Sequence, residues 1–420
     1  MNKSPVDAAE SRDAKGALSD RQGPLEGMRV IEMGQLIAAP FAGHLLADFG
    51  ADVVKVEVPG EGDSLRQWGQ NRVKGRTLWW SVMSRNKRCV TLNLSVPEGQ
   101  RLLKDLVKKS DALIENFRPG TLERWGLSPA ELFEVNPSLV IARVSGFGQT
   151  GPYAKRVGYA SVGEAMGGLR YVNGYPDQPP PRTGISLGDP LAGMFATLGL
   201  LMALRWRDYS GSRRGQVVDA SIMESCYALM ESAITEYDKL GVVRQPSGTG
   251  LKGIAPSNIY RSKDGKWLVI AANADNLFRR LCKLMGQIEL ADDPRFNSHA
   301  ARGANSEVLD KIIADWVVQY DAPALDKLLN DAGVVCGPIY TIADIYNDPH
   351  YAAREMIVRM ADDYFGDLAM PGVVPKLTES PGKLRWTGPM DLGHHNGEVY
   401  RELLGLSDDQ IAQLKSTGVI

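Results

Sequence analysis

The feature that most constrains this chain is a regular alternation of short apolar runs and amphipathic segments in its first third. Helix patterns occupy 40–49, 97–109 and a stretch near Ala130. Strands that alternate with helices pair in parallel and are covered on both faces. The alternation therefore predicts an α/β fold built on a Rossmann-like parallel sheet. The strand-like runs lie at 28–33, 52–57, 88–94, 112–116 and 139–145.

A chain of 420 residues is longer than one typical hydrophobic core, so we look for a division. Beyond residue 225 a glycine-punctuated loop is followed by a hairpin across Asp264-Gly265 and by two helical stretches. The last 80 residues mix strands and helices again. We predict a disordered tail at 1–24, a discontinuous large domain at 25–225 plus 341–420, and a small α+β domain at 226–340.

Composition argues against several classes of partner. The net charge is −2, with 44% hydrophobic and 23% charged residues, so we expect neither a nucleic acid nor a membrane partner. No apolar stretch is long enough to span a bilayer, and residues 1–24 lack the apolar centre of a signal peptide, so we expect a cytoplasmic protein. The four cysteines are far apart and only His394-His395 pair closely, so we predict no disulfide framework and no metal site.

Three short motifs match known signatures without their structural context. The pattern GxGxxG occurs as GFGQTG from Gly146 and as GTGLKG from Gly248, but neither stands between a strand and a clear helix start. GISLG would make Ser186 a hydrolase nucleophile, yet no strand clearly precedes it. We therefore expect no tightly bound cofactor.

Six longer strings together point to one family. They are LADFGADVVKVEVPGEGD (46–63), RNKRCVTLNL (85–94), IENFRPGTLERWGL (114–127), SGFGQTGPYAKRVGY (145–159), TGISLGDPLAGMFATLGLLMAL (183–204) and LGHHNGEVYRELLGLS (392–407). On these strings the chain resembles, from Leu25 to Ile420, the class III CoA-transferases, which include formyl-CoA, carnitine and succinyl-CoA:glutarate transferases. The resemblance implies a coenzyme A thioester as substrate and an interlocked homodimer, or a pairing with a related subunit.

The resemblance implies that Asp189 is a covalent nucleophile. On its own, Asp189 before Pro190 at the start of an apolar helix is better explained as an N-cap followed by Pro at N1. The two roles are compatible, because a helix N-terminus favours the anion and would keep Asp189 ionised. A carboxylate that attacks an acyl-CoA thioester gives a mixed anhydride and a CoA thiolate, which can return to form an aspartyl-CoA thioester.

The resemblance also assigns binding residues, although each has an ordinary structural explanation. Helix solvation would explain Arg124, core packing would explain the aromatic residues, and a flexible linker would explain the glycines. Tyr159 and the mobile loop with Gly248 and Gly250 are implied as accessory active-site residues. The residues implied in CoA binding are Leu92, Asn116, Phe117, Arg124, Trp125 and Arg156.

Two other functions stay open. Alpha-methylacyl-CoA racemases share the Asp189 region but pair the aspartate with a histidine, where this chain has Gly158-Tyr159-Ala160, so proton exchange would lack one acid. Ala160 also replaces an acidic residue usual in the transferases. A noncatalytic CoA-binding subunit is the other alternative, and the retained aspartate argues against it.

The acid substrate is the least determined part of the prediction. The resemblance favours a dicarboxylate such as glutarate or a substituted succinate. Such an acid needs a cation for its second carboxylate, and the candidates are Arg66, Lys74 and Arg182. Surface solvation is the better explanation for each of these three side chains taken alone.

Overall fold

A computed structural model describes residues 23–420 of the protein. Of the predicted disordered tail at 1–24, residues 1–22 lie outside the described part. The chain divides into two compact units. The first comprises the described residues up to Leu169 together with Arg182–Glu231 and Ala352–Ile420, and the second comprises Arg170–Pro181 and Ser232–Tyr351. That these units are independent domains with boundaries at 226 and 341 stays a prediction.

The first unit is built on a six-stranded parallel sheet, which confirms the predicted α/β class. The strand order is β5-β2-β1-β6-β7-β8, and all five pairings are parallel. Two short antiparallel pairs, β3 with β4 and β12 with β13, accompany it. The strands of this unit are β1 (Arg29–Glu32), β2 (Asp52–Glu57), β3 (Arg72–Val73), β4 (Arg76–Thr77), β5 (Lys87–Thr91), β6 (Ala112–Glu115), β7 (Val140–Ser145), β8 (Val217–Ser221), β12 (Ile357–Asp362) and β13 (Gly366–Pro371).

Helices cover both faces of this sheet, so its strands are apolar on both sides. Successive side chains of a strand point to opposite faces. Accordingly Val30 belongs to one hydrophobic core and Ile31 to the other. The helices of the first unit are α1 (Ala38–Asp48), α2 (Leu78–Met83), α3 (Pro97–Val107), α4 (Thr121–Arg124), α5 (Pro129–Val135), α6 (Ala160–Met166), α8 (Gly188–Tyr209), α9 (Ile222–Tyr227), α16 (Pro349–Ala353, at its border), α17 (Asn396–Leu404) and α18 (Asp408–Ser416). Helix α7 (Leu169–Val172) lies where the chain passes between the units.

The second unit has its own core and a small antiparallel sheet of order β11-β10-β9. The predicted hairpin across Asp264-Gly265 is the β9–β10 connection, and Gly265 has the positive φ of 80° that such a turn requires. Its elements are β9 (Ser257–Arg261), β10 (Trp267–Ala271), β11 (Val335–Pro338), α10 (Ala233–Leu240), α11 (Asp275–Leu284), α12 (His299–Ala304), α13 (Ser306–Val317), α14 (Ala322–Asp331) and α15 (Ile342–Asn347).

The strand order of the first unit determines where a ligand can bind. From β1 the chain continues outward to β2 and β5, then returns to β6 on the other side of β1 and continues to β7 and β8. The loops that follow β1 and β6 therefore diverge and leave a crevice at the carboxyl ends of these two strands, where ligands bind in open α/β sheets.

No helix within residues 23–420 is long and apolar enough to cross a lipid bilayer.

Candidate active site

Two adjoining cavities lie at the crevice between β1 and β6. The larger, of about 590 Å³, contains Asp189 and is called the Asp189 cavity. The smaller, of about 280 Å³, is lined by Leu92, Phe117 and Trp125 and is called the Trp125 cavity. Gln35 and Phe117 line both cavities. The two spaces can therefore hold different parts of one extended ligand.

The loop after β1 forms the wall that the two cavities share. The side-chain amide of Asn116 donates to the main-chain oxygen of Gln35 and accepts from its N–H, both at 2.8 Å. The next residue, Leu36, has a φ of 64°, unusual for a bulky side chain, and its N–H donates to Asp63 at 2.9 Å. Such a conformation persists only where its surroundings fix it. Here the side chains of Asn116 and Asp63 fix the backbone of this loop.

Asp189 lies inside the first turn of α8, so the predicted N-cap is wrong. The helix begins at Gly188, and its N-cap is Leu187, which makes no side-chain capping bond. Pro190 is accordingly the third helical residue. Proline is tolerated there because the first N–H groups of a helix have no acceptor within it. The half-buried Asp189 side chain faces the Asp189 cavity without serving as a cap.

The electrostatic surroundings of Asp189 also differ from the prediction that the helix end keeps it readily ionised. Burial and the negative charge of Glu164 raise the pKa of Asp189 to about 6, and the positive charge of Arg182 opposes them. The carboxyl of Asp189 is thus more basic than an ordinary aspartate. Burial and the charges of Glu164 and Asp189 likewise raise the pKa of the Cys226 thiol on α9 to about 11.

Glu164 was missed by the sequence reasoning. It is buried on α6, and its Oε1 accepts a hydrogen bond of 3.0 Å from the N–H of Gly188. The side chain therefore contacts the helix start that carries Asp189. Ala160 lacks a carboxylate, but Glu164 follows it by four residues, on the same face of the helix. That spacing was the signal available in the sequence.

The structure brings five of the six predicted CoA-binding residues to the two cavities. Leu92, Phe117 and Trp125 line the Trp125 cavity, and the rings of Phe117 and Trp125 meet edge to face at 5.2 Å. Asn116 and Arg156 line the Asp189 cavity.

Arg124 lines neither cavity. Its guanidinium donates to the Gly120 oxygen and to the Thr121 hydroxyl of its own turn, both at 3.0 Å. The role of Arg124 in CoA binding stays a prediction.

The predicted accessory residues lie in different units. Tyr159 precedes α6, is 64% exposed and lines the Asp189 cavity. No histidine is among the described residues that line this cavity. Gly248 and Gly250 belong to the second unit, where the Gly248 N–H donates to the Gly174 oxygen at 2.8 Å and an added Cβ would meet the Tyr175 ring at 2.8 Å.

Only one of the three candidate cations for a second carboxylate lines the Asp189 cavity. Arg66 is buried and makes two hydrogen bonds, of 2.7 and 2.8 Å, to the carboxylate of Glu57. Lys74 donates to the Tyr364 oxygen at 2.9 Å and lines neither cavity. Arg182 is exposed and lines the Asp189 cavity.

The two glycine motifs near the site lie in loops, except that the last residue of GISLG, Gly188, begins α8. GFGQTG follows β7, and its first residues line the Asp189 cavity. In GISLG, no strand precedes Ser186, and its hydroxyl accepts a 3.1 Å hydrogen bond from Arg182. Within residues 23–420, no three His, Cys, Asp or Glu side chains are close enough to hold a metal ion.

Comparison with known proteins identifies the family. The model of CoA-transferase family III matches residues 25–396. The succinyl-CoA–D-citramalate CoA-transferase of Chloroflexus aurantiacus is 53% identical over 397 residues, which cover 94% of this chain and 98% of the relative. The beta subunit of the succinyl-CoA–L-malate CoA-transferase of the same organism is 42% identical, with 94% of this chain and 98% of the relative covered.

A solved structure agrees with these sequence matches. A CAIB/BAIF family protein from Brucella suis superposes with a TM-score of 0.81 at 32% identity, over 91% of this chain and 100% of that chain. Family model, full-length relatives and fold all agree. The chain therefore belongs to CoA-transferase family III and is a CoA-transferase.

Proposed function

We propose that this CoA-transferase moves CoA from succinyl-CoA to a dicarboxylic acid of the substituted-succinate type, through a covalent thioester on Asp189. The likeness to the succinyl-CoA–D-citramalate enzyme, over almost the whole of both chains, carries the choice of substrates. Citramalate is a succinate that bears a hydroxyl and a methyl group. The position of Asp189 in the larger cavity supports its choice as the nucleophile.

The reaction proceeds in two symmetrical halves. A carboxylate oxygen of Asp189 attacks the thioester carbonyl of the donor, which forms a mixed anhydride and releases the CoA thiolate. The thiolate attacks the aspartyl carbonyl carbon, so the aspartyl-CoA thioester forms and succinate leaves. The acceptor carboxylate then attacks this thioester, and the released thiolate attacks the acceptor carbonyl. Acyl-CoA product leaves and the Asp189 carboxylate is restored.

The surroundings of Asp189 suit this chemistry. With a pKa of about 6 the carboxyl is mostly ionised at pH 7, and its raised basicity makes it a better nucleophile than an ordinary aspartate. The hydrogen bond from Gly188 to Glu164 fixes the backbone next to the reacting group. A fixed backbone reduces the conformational freedom that the carboxylate must lose to reach the geometry of attack.

We place the adenine end of CoA in the Trp125 cavity and the thioester end in the Asp189 cavity. The Trp125 cavity offers the aromatic and apolar surface that a nucleobase needs, from Phe117, Trp125 and Leu92. The Asp189 cavity holds the nucleophile. The shared wall at Gln35 gives the pantetheine arm a path between them.

The decisive experiment is to trap the intermediate. The protein is incubated with succinyl-CoA and no acceptor, digested, and searched by mass spectrometry for CoA on the peptide that contains Asp189. We expect the adduct in the wild type and in Asp177→Asn, a matched loss of an exposed carboxylate nearby in the chain, and no adduct in Asp189→Asn. Absence of any adduct, together with full transfer by Asp189→Ala, overturns the mechanism.

We also propose that the active form is the interlocked homodimer that the resemblance implies. Large apolar side chains occur every fourth residue along one face of α8, and this set is called the α8 stripe: Met194, Leu198, Met202 and Trp206. Met202 is 61% exposed and Trp206 is 60% exposed in the single chain. A continuous apolar surface of this kind is typical of a protein interface.

Sedimentation tests the dimer. We expect the wild type to sediment as a dimer, and we expect the double variant Met202→Glu/Trp206→Glu to sediment as a monomer with no transferase activity. Val308→Glu, which changes one exposed apolar residue on α13, is the matched control and should stay dimeric. A fully active monomer refutes the proposal.

A further inference from the structure

A dicarboxylic substrate has a second carboxylate, and the nucleophile Asp189 does not explain how this group is bound. One of its carboxylates reacts at Asp189, and the other stays charged in a cavity that Asp189 lines, with the buried Glu164 close to Asp189. Bringing a further negative charge to such a place is unfavourable unless a cation receives it. A cation in the Asp189 cavity is therefore required.

Three arginines line the Asp189 cavity, and they differ in their surroundings: Arg118, Arg156 and Arg182. Arg156 lies over the rings of Phe147 and Tyr153, at 5.8 and 5.4 Å from the ring centres. Arg118 belongs to the loop after β6. Arg182 lies in the segment that leads into α8, bonds to Ser186 three residues before Asp189, and lowers the pKa of Asp189 by its positive charge. Arg182 is thus the cation most closely associated with the reacting group.

We propose that Arg182 binds the carboxylate of the substrate that does not react, in the succinyl donor and in the dicarboxylic acceptor alike. This inference rests on the proposed function. The hydroxyl of Ser186 accepts one N–H of Arg182 at 3.1 Å and orients the guanidinium, while the other N–H groups can bind a carboxylate side by side. Because both half-reactions use the same site, the succinate that leaves and the acid that enters occupy it in turn.

The covalent intermediate strengthens this recognition. Before the reaction, the negative charge of Asp189 offsets part of the positive charge of Arg182. Once Asp189 is esterified with CoA its charge is gone, and the positive charge of Arg182 is no longer offset by it. The site is therefore most attractive to a dianionic acid at the stage when the acceptor must enter.

Matched pairs of substrates test the proposal. Succinate and butyrate differ in the distal carboxylate, and succinyl-CoA and butyryl-CoA differ in the same way. For Arg182→Gln we expect kcat/KM with succinate and succinyl-CoA to fall by about 10- to 100-fold, because a charge-assisted hydrogen-bonded pair is lost. We expect the slower rates with butyrate and butyryl-CoA to stay within about 3-fold of the wild type. Arg182→Lys should recover part of the loss.

Two further variants separate binding from loop positioning. Ser186→Ala keeps the cation, so the preference for succinate over butyrate should persist, and Lys155→Gln removes an exposed charge from outside the cavity as the matched control. Equal losses with both members of each pair in Arg182→Gln, or no loss with either, overturn the inference. A wild type that forms no aspartyl-CoA, together with full transfer by Asp189→Ala, refutes the proposed function instead, so the two failures are distinguishable.

Discussion

Two acidic regions of the first unit differ in how their charge is neutralised. Glu32, at the end of β1, is fully buried between Lys55 and Lys87, whose Nζ atoms lie 2.9 and 2.5 Å from its carboxylate oxygens. Burial favours the neutral acid, but the two lysines outweigh it and hold the pKa of Glu32 below its ordinary value. Asp189 is only half-buried, yet burial and Glu164 raise its pKa to about 6.

This difference distinguishes a buried charge that stabilises the fold, Glu32, from one that is available for reaction, Asp189. Lys55 also donates to the Gly34 oxygen and to Asp63, and Lys87 donates to the Pro40 oxygen at 2.7 Å, so this network fixes the loop that forms the shared cavity wall. Around Asp189, the positive charge of Arg182 offsets only part of the effect of burial and of Glu164 on the pKa. An ionisable group whose charge is left partly uncompensated in a cavity is typical of catalytic sites.

The largest expected effect is on catalysis. Asp189→Asn should lower the transfer rate by at least about 1000-fold, since the nucleophile is lost. The free energy of unfolding should not decrease, because the substitution removes a carboxylate that the fold does not neutralise. Initial rates together with thermal unfolding check both statements. A large loss of stability would make Asp189 a structural residue like Glu32.

For Glu32→Gln, the main expected effect is on stability instead of on catalysis. The variant leaves two buried lysines without their acid, so the free energy of unfolding should fall by about 3–5 kcal/mol. Denaturant titration measures the change. Glu98→Gln, which removes an exposed ion pair with Arg101, is the matched control and should cost about 0.5 kcal/mol or less. Equal losses in the two variants would contradict the role assigned to the network.

The pH dependence of donor attack reports on Asp189 directly. The nucleophile is the ionised carboxylate, so kcat/KM for succinyl-CoA should be constant above the pKa of about 6 and fall about tenfold per pH unit below it. Initial rates between about pH 4.5 and 8 check this fall, the acid limb of the pH profile. An activity that stays constant down to the ordinary aspartate pKa would show that the site does not raise the pKa of Asp189.

The smallest effect is expected for Glu164→Gln. Removing this negative charge should lower the pKa of Asp189 and move the acid limb to lower pH, but by less than the whole displacement, because burial is the larger cause. The glutamine oxygen can still accept the N–H of Gly188, so the helix start should stay in place. Glu134→Gln, an exposed change on α5, should leave the limb unmoved.

The fold was largely predictable because burial on both faces makes the strands nearly continuous apolar runs. Residues 52–57 were predicted as a strand and form β2 over that range. The start of α8 was not predictable in the same way. The Asp-Pro pair indicated a cap, whereas the N–H of Gly188 finds its acceptor in Glu164, 24 residues earlier in the chain. Such a partner exists only after the helices have packed.

The candidate site shows the same limit. The sequence indicated that Arg66, Lys74 and Arg182 carry positive charge, but only the packed structure shows that Glu57 already pairs with Arg66. Residue type predicts what a side chain can bind, and tertiary contacts decide what it does bind.

Arg182 and Asp189 belong to one segment of eight residues that leads into α8, whereas the residues of the Trp125 cavity come from earlier in the chain, before residue 126. If Arg182 selects the acid, recognition of the acid and recognition of CoA are encoded in separate parts of the gene. A descendant enzyme could then acquire a new acid by changes near Arg182 alone. The CoA site would pass unaltered from one specificity to the next.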